Sequence, residues 1–188
     1  LTCFLIIYSL TGYTQTKESF DLVSFEVPKG WKKVTGNGSV NYSITHKEQY
    51  AKLIVYKSIP GTGDFNTDFE KEWNDLVAVP YKTSAAPELT EDNLPNDWKI
   101  KSGTSAFSFN GSRSVVILMT AISKGNKISL VFLTNSDTYM GALETIGNSL
   151  QFKKAKAITG NTIATTNNQP KISSSYTFNT SKDRKSVV

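Results

Sequence analysis

The chain of 188 residues is poor in the side chains that most often carry chemistry: it has one cysteine, one histidine and, before Lys153, one arginine. A lone cysteine excludes an intrachain disulfide, and Cys3 lies inside an apolar run, where a thiol acts as a small apolar group. Thiolate zinc sites and cysteine nucleophiles are excluded with it. With only His46 available, any histidine-dependent dyad must use that residue, and no G-x-S-x-G or S-x-x-K motif stands at a strand-to-helix turn. No glycine-rich phosphate loop is present either, since Gly61-Thr62-Gly63 lacks the following Lys and Ser or Thr that would hold phosphate and magnesium. The sequence therefore supplies no cofactor or metal motif. Nor is there a hydrophobic stretch of the roughly 20 residues that a bilayer span requires.

The longest apolar run, "LTCFLIIYSL" at the start, has the length of a signal-peptide core. The "TGYTQT" after it places small side chains, Gly12 and Thr14, three and one positions before a cut ahead of Gln15. Residues 1–14 are expected to be a signal remnant, residues 15–152 one domain and residues 153–188 a low-complexity basic tail or linker. After signal removal no membrane insertion is expected, and the location is extracytoplasmic, periplasmic or secreted.

The formal charge of +5 is unevenly distributed. The segment 15–152 carries one more acid than base, and the whole positive excess falls in the Thr-, Asn-, Ser- and Lys-rich tail. The domain has no overall bias toward phosphate, so a nucleic-acid partner is not expected. The tail has too few large apolar residues to offset its ordering entropy. Within it "SSYTFNT", Ser174 to Thr180, has the alternation of a further strand.

Between the ends the dominant hydrophobic period is two. In "SVNYSITH" Val40, Tyr42 and Ile44 alternate with polar residues, which predicts a strand with one wet face. "SVVILMTAI" and "ISLVFL" are apolar on both faces and must be covered on both. Hairpin turns are predicted at Gly36–Gly38, Lys47–Gln49, Asn110-Gly111 and Lys124–Asn126. Two segments switch to the helical period. Phe65, Phe69, Trp73, Leu76 and Val77 form one stripe, with Asp64 or Asn66 as N-cap and Pro80 as stop; Tyr139, Met140, Leu143, Ile146 and Leu150 form the other. The acidic run from Asp64 to Asp75 superficially follows calcium-loop spacing, but Phe69 stands where that loop needs Gly, so it reads as helix. The stretch from Pro80 to Trp98, with three prolines, is predicted to be one long loop whose carboxylates keep it solvated. The order is four short strands, a helix, a long loop, three strands and a final helix. This is an α+β fold, a twisted antiparallel sheet of about six to seven strands covered by helices.

That order, opened by Val27-Pro28-Lys29-Gly30-Trp31, continued by the helix bearing Phe65, Phe69 and Trp73 and closed by a late hairpin and a helix running into "LQFKK", resembles the PsbP-like family. The family includes a Ran-binding import factor and bacterial proteins of unknown function. The resemblance implies an accessory subunit, adaptor or chaperone rather than an enzyme, and brings no catalytic residue with it. In the Pro-Lys-Gly-Trp corner, Pro28 is expected to end a strand, Gly30 to permit a turn and Trp31 to fold over the core; the alternative is a ligand-stacking Trp31.

Four side chains remain as binding candidates. Tyr81 and Trp98 bracket the long loop, where they either staple it down or present a recognition surface. Arg113 follows a predicted turn and snorkels or binds a carboxylate. His46, at a strand end, is expected to be solvated. The function that these features imply is an exported, non-catalytic binding or accessory module of the cell envelope, acting through another protein. The alternatives are a carrier of a small apolar or amphiphilic ligand or, further off, a hydrolase. Oligomeric state is not legible in the sequence.

Overall fold

The protein, seen in a computed structural model, is described for residues 15–83, 86–109 and 111–158. The signal-like segment with Cys3, Asn110 of the predicted turn, and the tail from residue 159 with its strand-like "SSYTFNT" lie outside the described residues.

Two sheets and one helical layer on each side organise the chain. Strands β1 (Gln15–Phe20) and β2 (Val23–Pro28) pair antiparallel, and β2 also pairs with the two-residue β11 (Gln151–Phe152), giving a small sheet β1-β2-β11. The central sheet contains β3 (Lys32–Gly36), β4 (Ser39–His46), β5 (Gln49–Tyr56), β7 (Glu88–Leu94), β8 (Trp98–Phe109), β9 (Ser112–Ser123) and β10 (Asn126–Thr134) in the order β3-β4-β5-β10-β9-β8-β7, with the short β6 (Ile59–Pro60) on β10. Every neighbouring pair in it is antiparallel.

The doubly apolar strands are covered on both faces, as their composition requires. On one face Ile128, Leu130 and Phe132 of β10 join Leu53, Val55, Val40 and Tyr42 against the small sheet (Val23, Phe25, Val27) and against helix α3 (Asp137–Asn148), whose Leu143 and Ile146 are buried. On the other face Val131 and Leu133 join Ile54, Val116 and Leu118 beneath α1 (Phe65–Trp73). Burying each such side chain contributes about 1.5–3 kcal/mol before entropy is counted. In β4 the alternation Val40, Tyr42 inward and Ser39, Asn41 outward sets the register with β5.

Helix α1 begins at Asp64, whose Oδ1 accepts the Thr67 amide at 2.7 Å, capping one of the unpaired N-terminal donors. Pro80 is not its stop. The helical path continues through a π-helical turn (Asn74–Ala78) into α2 (Val79–Tyr81) and is ended by Lys82 in the left-handed region. Pro80 sits in the first turn of α2, where its missing N–H costs little.

The expected loop from Pro80 to Trp98 also differs. Its second half is β7, a seven-residue edge strand on β8. Six strands rather than four precede α1, because β1 belongs to the separate small sheet and β6 is a two-residue addition. Beyond Phe152 the chain stays on the body for six more residues: Lys153 N donates to Leu22 O, Lys156 O accepts from Asn126 Nδ2, Ile158 N donates to Lys124 O, and Ala155 is buried.

Candidate functional site

The corner between β2 and β3 combines a shallow depression with a half-exposed aromatic. Pro28 ends β2, Gly30 takes φ +94°, open to glycine and closed to most residues, and the chain turns into β3. The turn leaves Trp31 packed against the edge of the core below the small sheet and partly open to solvent. Together with Thr16, Glu18, Lys29, Lys33 and Tyr42, Pro28 and Trp31 line a depression of about 110 Å³. One wall is an ionic cluster: Lys33 Nζ donates to Glu18 Oε2 at 2.6 Å, Tyr42 Oη donates to the same oxygen at 3.1 Å, and the ammonium lies 5.6 Å from the Tyr42 ring centre. The Lys33 hydrogen bond holds the Glu18 carboxyl below its usual range, and Glu18 in turn raises Lys33. The depression is far smaller than the roughly 300–1,000 Å³ of small-molecule pockets and comparable to the space for one side chain.

The second charged constellation was not legible as such in the sequence. Asp68 and Glu72 project from the inner stripe of α1 onto Lys127 of β10, which contacts Asp68 Oδ1 at 3.3 Å and Glu72 Oε1 at 2.8 Å. All three are almost wholly buried. Ser129 Oγ donates to Glu72 Oε2 at 2.9 Å, and the Thr62 amide donates to Asp68 Oδ2 at 2.9 Å. Gly61 is required there, since a Cβ on it would stand 2.7 Å from Asp68 Oδ2. Beside this set the buried Lys101 of β8 meets Asn66 Oδ1, pairs with Glu91 at 2.6 Å and lies over the rings of Phe65 and Phe69. These charges serve one another and pin α1 to the sheet, because a desolvated ion must be paired where it is buried. A signal was available: Asp68 and Glu72 fall on the same 3.6-residue stripe as Phe69 and Trp73, and Lys127 shares a β10 face with Ser129, Val131 and Leu133.

The four sequence candidates do not converge. Trp98 is buried at the start of β8, its Nε1 donating to Lys153 O at 2.9 Å and its ring 5.1 Å from Phe152. Tyr81 is half-buried at the end of α2 against Phe107, ring centres 5.0 Å apart. Arg113 is exposed near the start of β9, opposite Ser108. His46 is exposed at the end of β4, opposite Gln49, three strands from β9. Tyr81, Arg113 and His46 thus lie toward one end of the central sheet, Trp98 at the other.

Burial, with a smaller effect from nearby Tyr50, pushes the Tyr81 phenol up to about 12. An unfolded tyrosine ionises near pH 10, so between pH 10 and about 12 the unfolded state loses a proton that the folded state keeps. Stability is full below pH 10 and falls as pH rises through that window. Alkaline unfolding series on wild type and Tyr81→Phe are expected to show a steeper decline in wild type; identical pH dependence counts against the burial described.

Among the described residues the fold is a three-layer α+β sandwich, its buried side chains packed between sheet and helices, with a depression at the Pro28–Trp31 corner. No family model matches the sequence, and no curated protein matches it. Among solved structures, the chain is similar to cyanobacterial PsbP (CyanoP) from Synechocystis sp. PCC 6803, at 13% identity and a TM-score of 0.55, over 78% of this chain and 96% of that one. The protein has a PsbP-like fold. It is also matched, at TM-score 0.45 and 13% identity over 74% of this chain and 91% of the other, to LpqN, involved in cell envelope biogenesis of Mycobacterium tuberculosis. A protein of Bacteroides thetaiotaomicron VPI-5482 is matched at TM-score 0.47 and 13% identity over 71% of this chain; the match spans 46% of that longer chain.

Proposed function

We propose that this protein is an exported, non-catalytic accessory module that binds another protein of the cell envelope at the Pro28–Trp31 corner. The observation that carries the reading is the contrast between its two charged constellations. Asp68, Glu72 and Lys127 lie under α1, joined to one another and closed to substrate, whereas Trp31, Lys29 and the Glu18–Lys33 pair border an open depression. A half-exposed tryptophan beside a depression that fits one side chain is the arrangement found at binding hot spots. The N-terminal apolar run supports export, and the likeness to a cyanobacterial PsbP supports an accessory role by analogy of fold alone.

A photo-reactive amino acid in place of Lys29 tests it. Irradiation with envelope material is expected to give one saturable adduct, reduced at least about tenfold by Trp31→Ala, the scale of a hot-spot loss above 1.4 kcal/mol. The same probe in place of Lys124, exposed in the β9–β10 turn at the opposite end of the central sheet, is expected to give none. Equal labelling from both positions, or none from Lys29, overturns the reading.

A further inference from the structure

Among the described residues, the edges of the central sheet that pair with no further strand are β3 and β7, and their side chains carry opposite charge. β7 presents Glu88, Glu91 and Asp92, and β3 presents Lys32 and Lys33; β3 is exposed at every residue, β7 at all but Leu94. Each edge also carries an exposed aliphatic, Val34 on β3 and Leu89 on β7, each about half exposed. Both point to the same side of the sheet. Glu91 bonds Lys101, which lies over the α1 rings, so Leu89, two residues away, shares the α1 side. Lys33 lies over Tyr42 on the opposite side, which places its neighbour Val34 on the α1 side as well.

Strand number fixes direction. Six successive antiparallel pairings separate β3 from β7, so the two edge strands run the same way. A second copy placed by simple translation therefore sets its β3 parallel to β7 of the first, with both α1 layers on one side and Val34 facing the Leu89 side chain's row. Charge selects this arrangement over the others: β7 against β7 opposes carboxylates, and β3 against β3 opposes ammonium groups, each repulsive at cross-strand range.

We propose that copies of this chain associate edge to edge, β7 of one beside β3 of the next, extending the sheet through a heterologous contact that leaves a free edge at each end. The contact is small, one edge of five residues against one of seven, and so transient in character. It does not use Trp31 and shares only Lys33 with the wall of the corner depression; the charge reversals below fall on Lys32 and Thr35 instead, so it stands or falls separately from the function proposed above.

Sedimentation velocity on the full chain tests it, with the monomer at 20.7 kDa as reference. At an ionic strength of about 0.01 M, where screening extends roughly 30 Å, the mean mass is expected to at least double with concentration, and at about 1 M salt to fall back toward the monomer. The charge-reversed variants Glu88→Lys with Asp92→Lys, and Lys32→Glu with Thr35→Glu, are each expected to remain monomeric alone. Mixed in equal amounts they regain association, because the new basic β7 meets the new acidic β3. Hydrogen exchange is expected to show concentration-dependent protection of both Lys32–Gly36 and Glu88–Leu94. A wild type that stays monomeric at low salt overturns the proposal, as does mixing that restores nothing. Protection of Glu88–Leu94 alone in a monomeric sample also overturns it, and identifies another segment of the same chain as the occupant.

Discussion

Lys127→Met is expected to lower folding stability by about 3–5 kcal/mol, the loss typical of breaking a buried ion pair from one side. The substitution keeps most of the side-chain volume and removes only the ammonium, leaving Asp68 and Glu72 facing each other in a site that solvent does not reach. Since the whole stability of a domain is about 5–15 kcal/mol, the urea midpoint should drop by a large fraction. Adding Asp68→Asn and Glu72→Gln should recover most of the loss. Both amides still offer an oxygen to the Thr62 amide and the Ser129 hydroxyl, and no buried charge remains uncompensated. A single Lys127→Met variant within 1 kcal/mol of wild type would mean that α1 does not seal this site as described.

The second large effect is at Trp98. Trp98→Ala is expected to cost about 3–5 kcal/mol, as large-to-small changes at buried aromatics do. Trp98→Phe separates two contributions. It retains an aromatic ring beside Phe152 but removes the indole N–H that holds the Lys153 carbonyl. The global loss should then be about 1–3 kcal/mol, while the segment 153–158 loosens more than the rest. Limited trypsin digestion reads this directly: cleavage after Lys154 and Lys156 should accelerate in Trp98→Phe ahead of any global unfolding. Unchanged cleavage there would show that Asn126, Lys124 and Leu22 hold the segment without the indole.

Both sites show how far the sequence could be read. The alternation of β4, the two-faced apolarity of β9 and β10 and the stripes of α1 and α3 are direct consequences of what each segment buries, and so they were legible. β7 was not, because an edge strand needs little apolar surface; "ELTEDNL" between Pro87 and Pro95 has the composition of a solvated loop and becomes a strand only because β8 offers it a ladder. Pro80 misled for a related reason, since the π-helical turn resets the register so that proline falls in a first turn rather than an interior one. The buried lysine was not legible, because a lysine is almost never fully buried unless it is paired. Its face of β10 is half polar, Lys127 and Ser129 preceding Val131 and Leu133, which is intelligible only once two acids are known to descend from the helix above. At the Pro28–Trp31 corner, the turn residues were readable one by one, but the depression depends on Thr16, Glu18 and Tyr42, which come from two other strands.

The small sheet has a mechanical consequence. Gln15 pairs with Pro28 at one end of β2, whereas Phe152 pairs with Val23 at the other. Tension between the first described residue and the segment past β11 therefore pulls β1 along its own axis, loading every rung of the β1–β2 ladder at once instead of peeling them one after another. A domain strung between an anchor on its N-terminal side and cargo on its C-terminal side would resist extension in this shear geometry far better than the same sandwich pulled from two points at one end of that ladder.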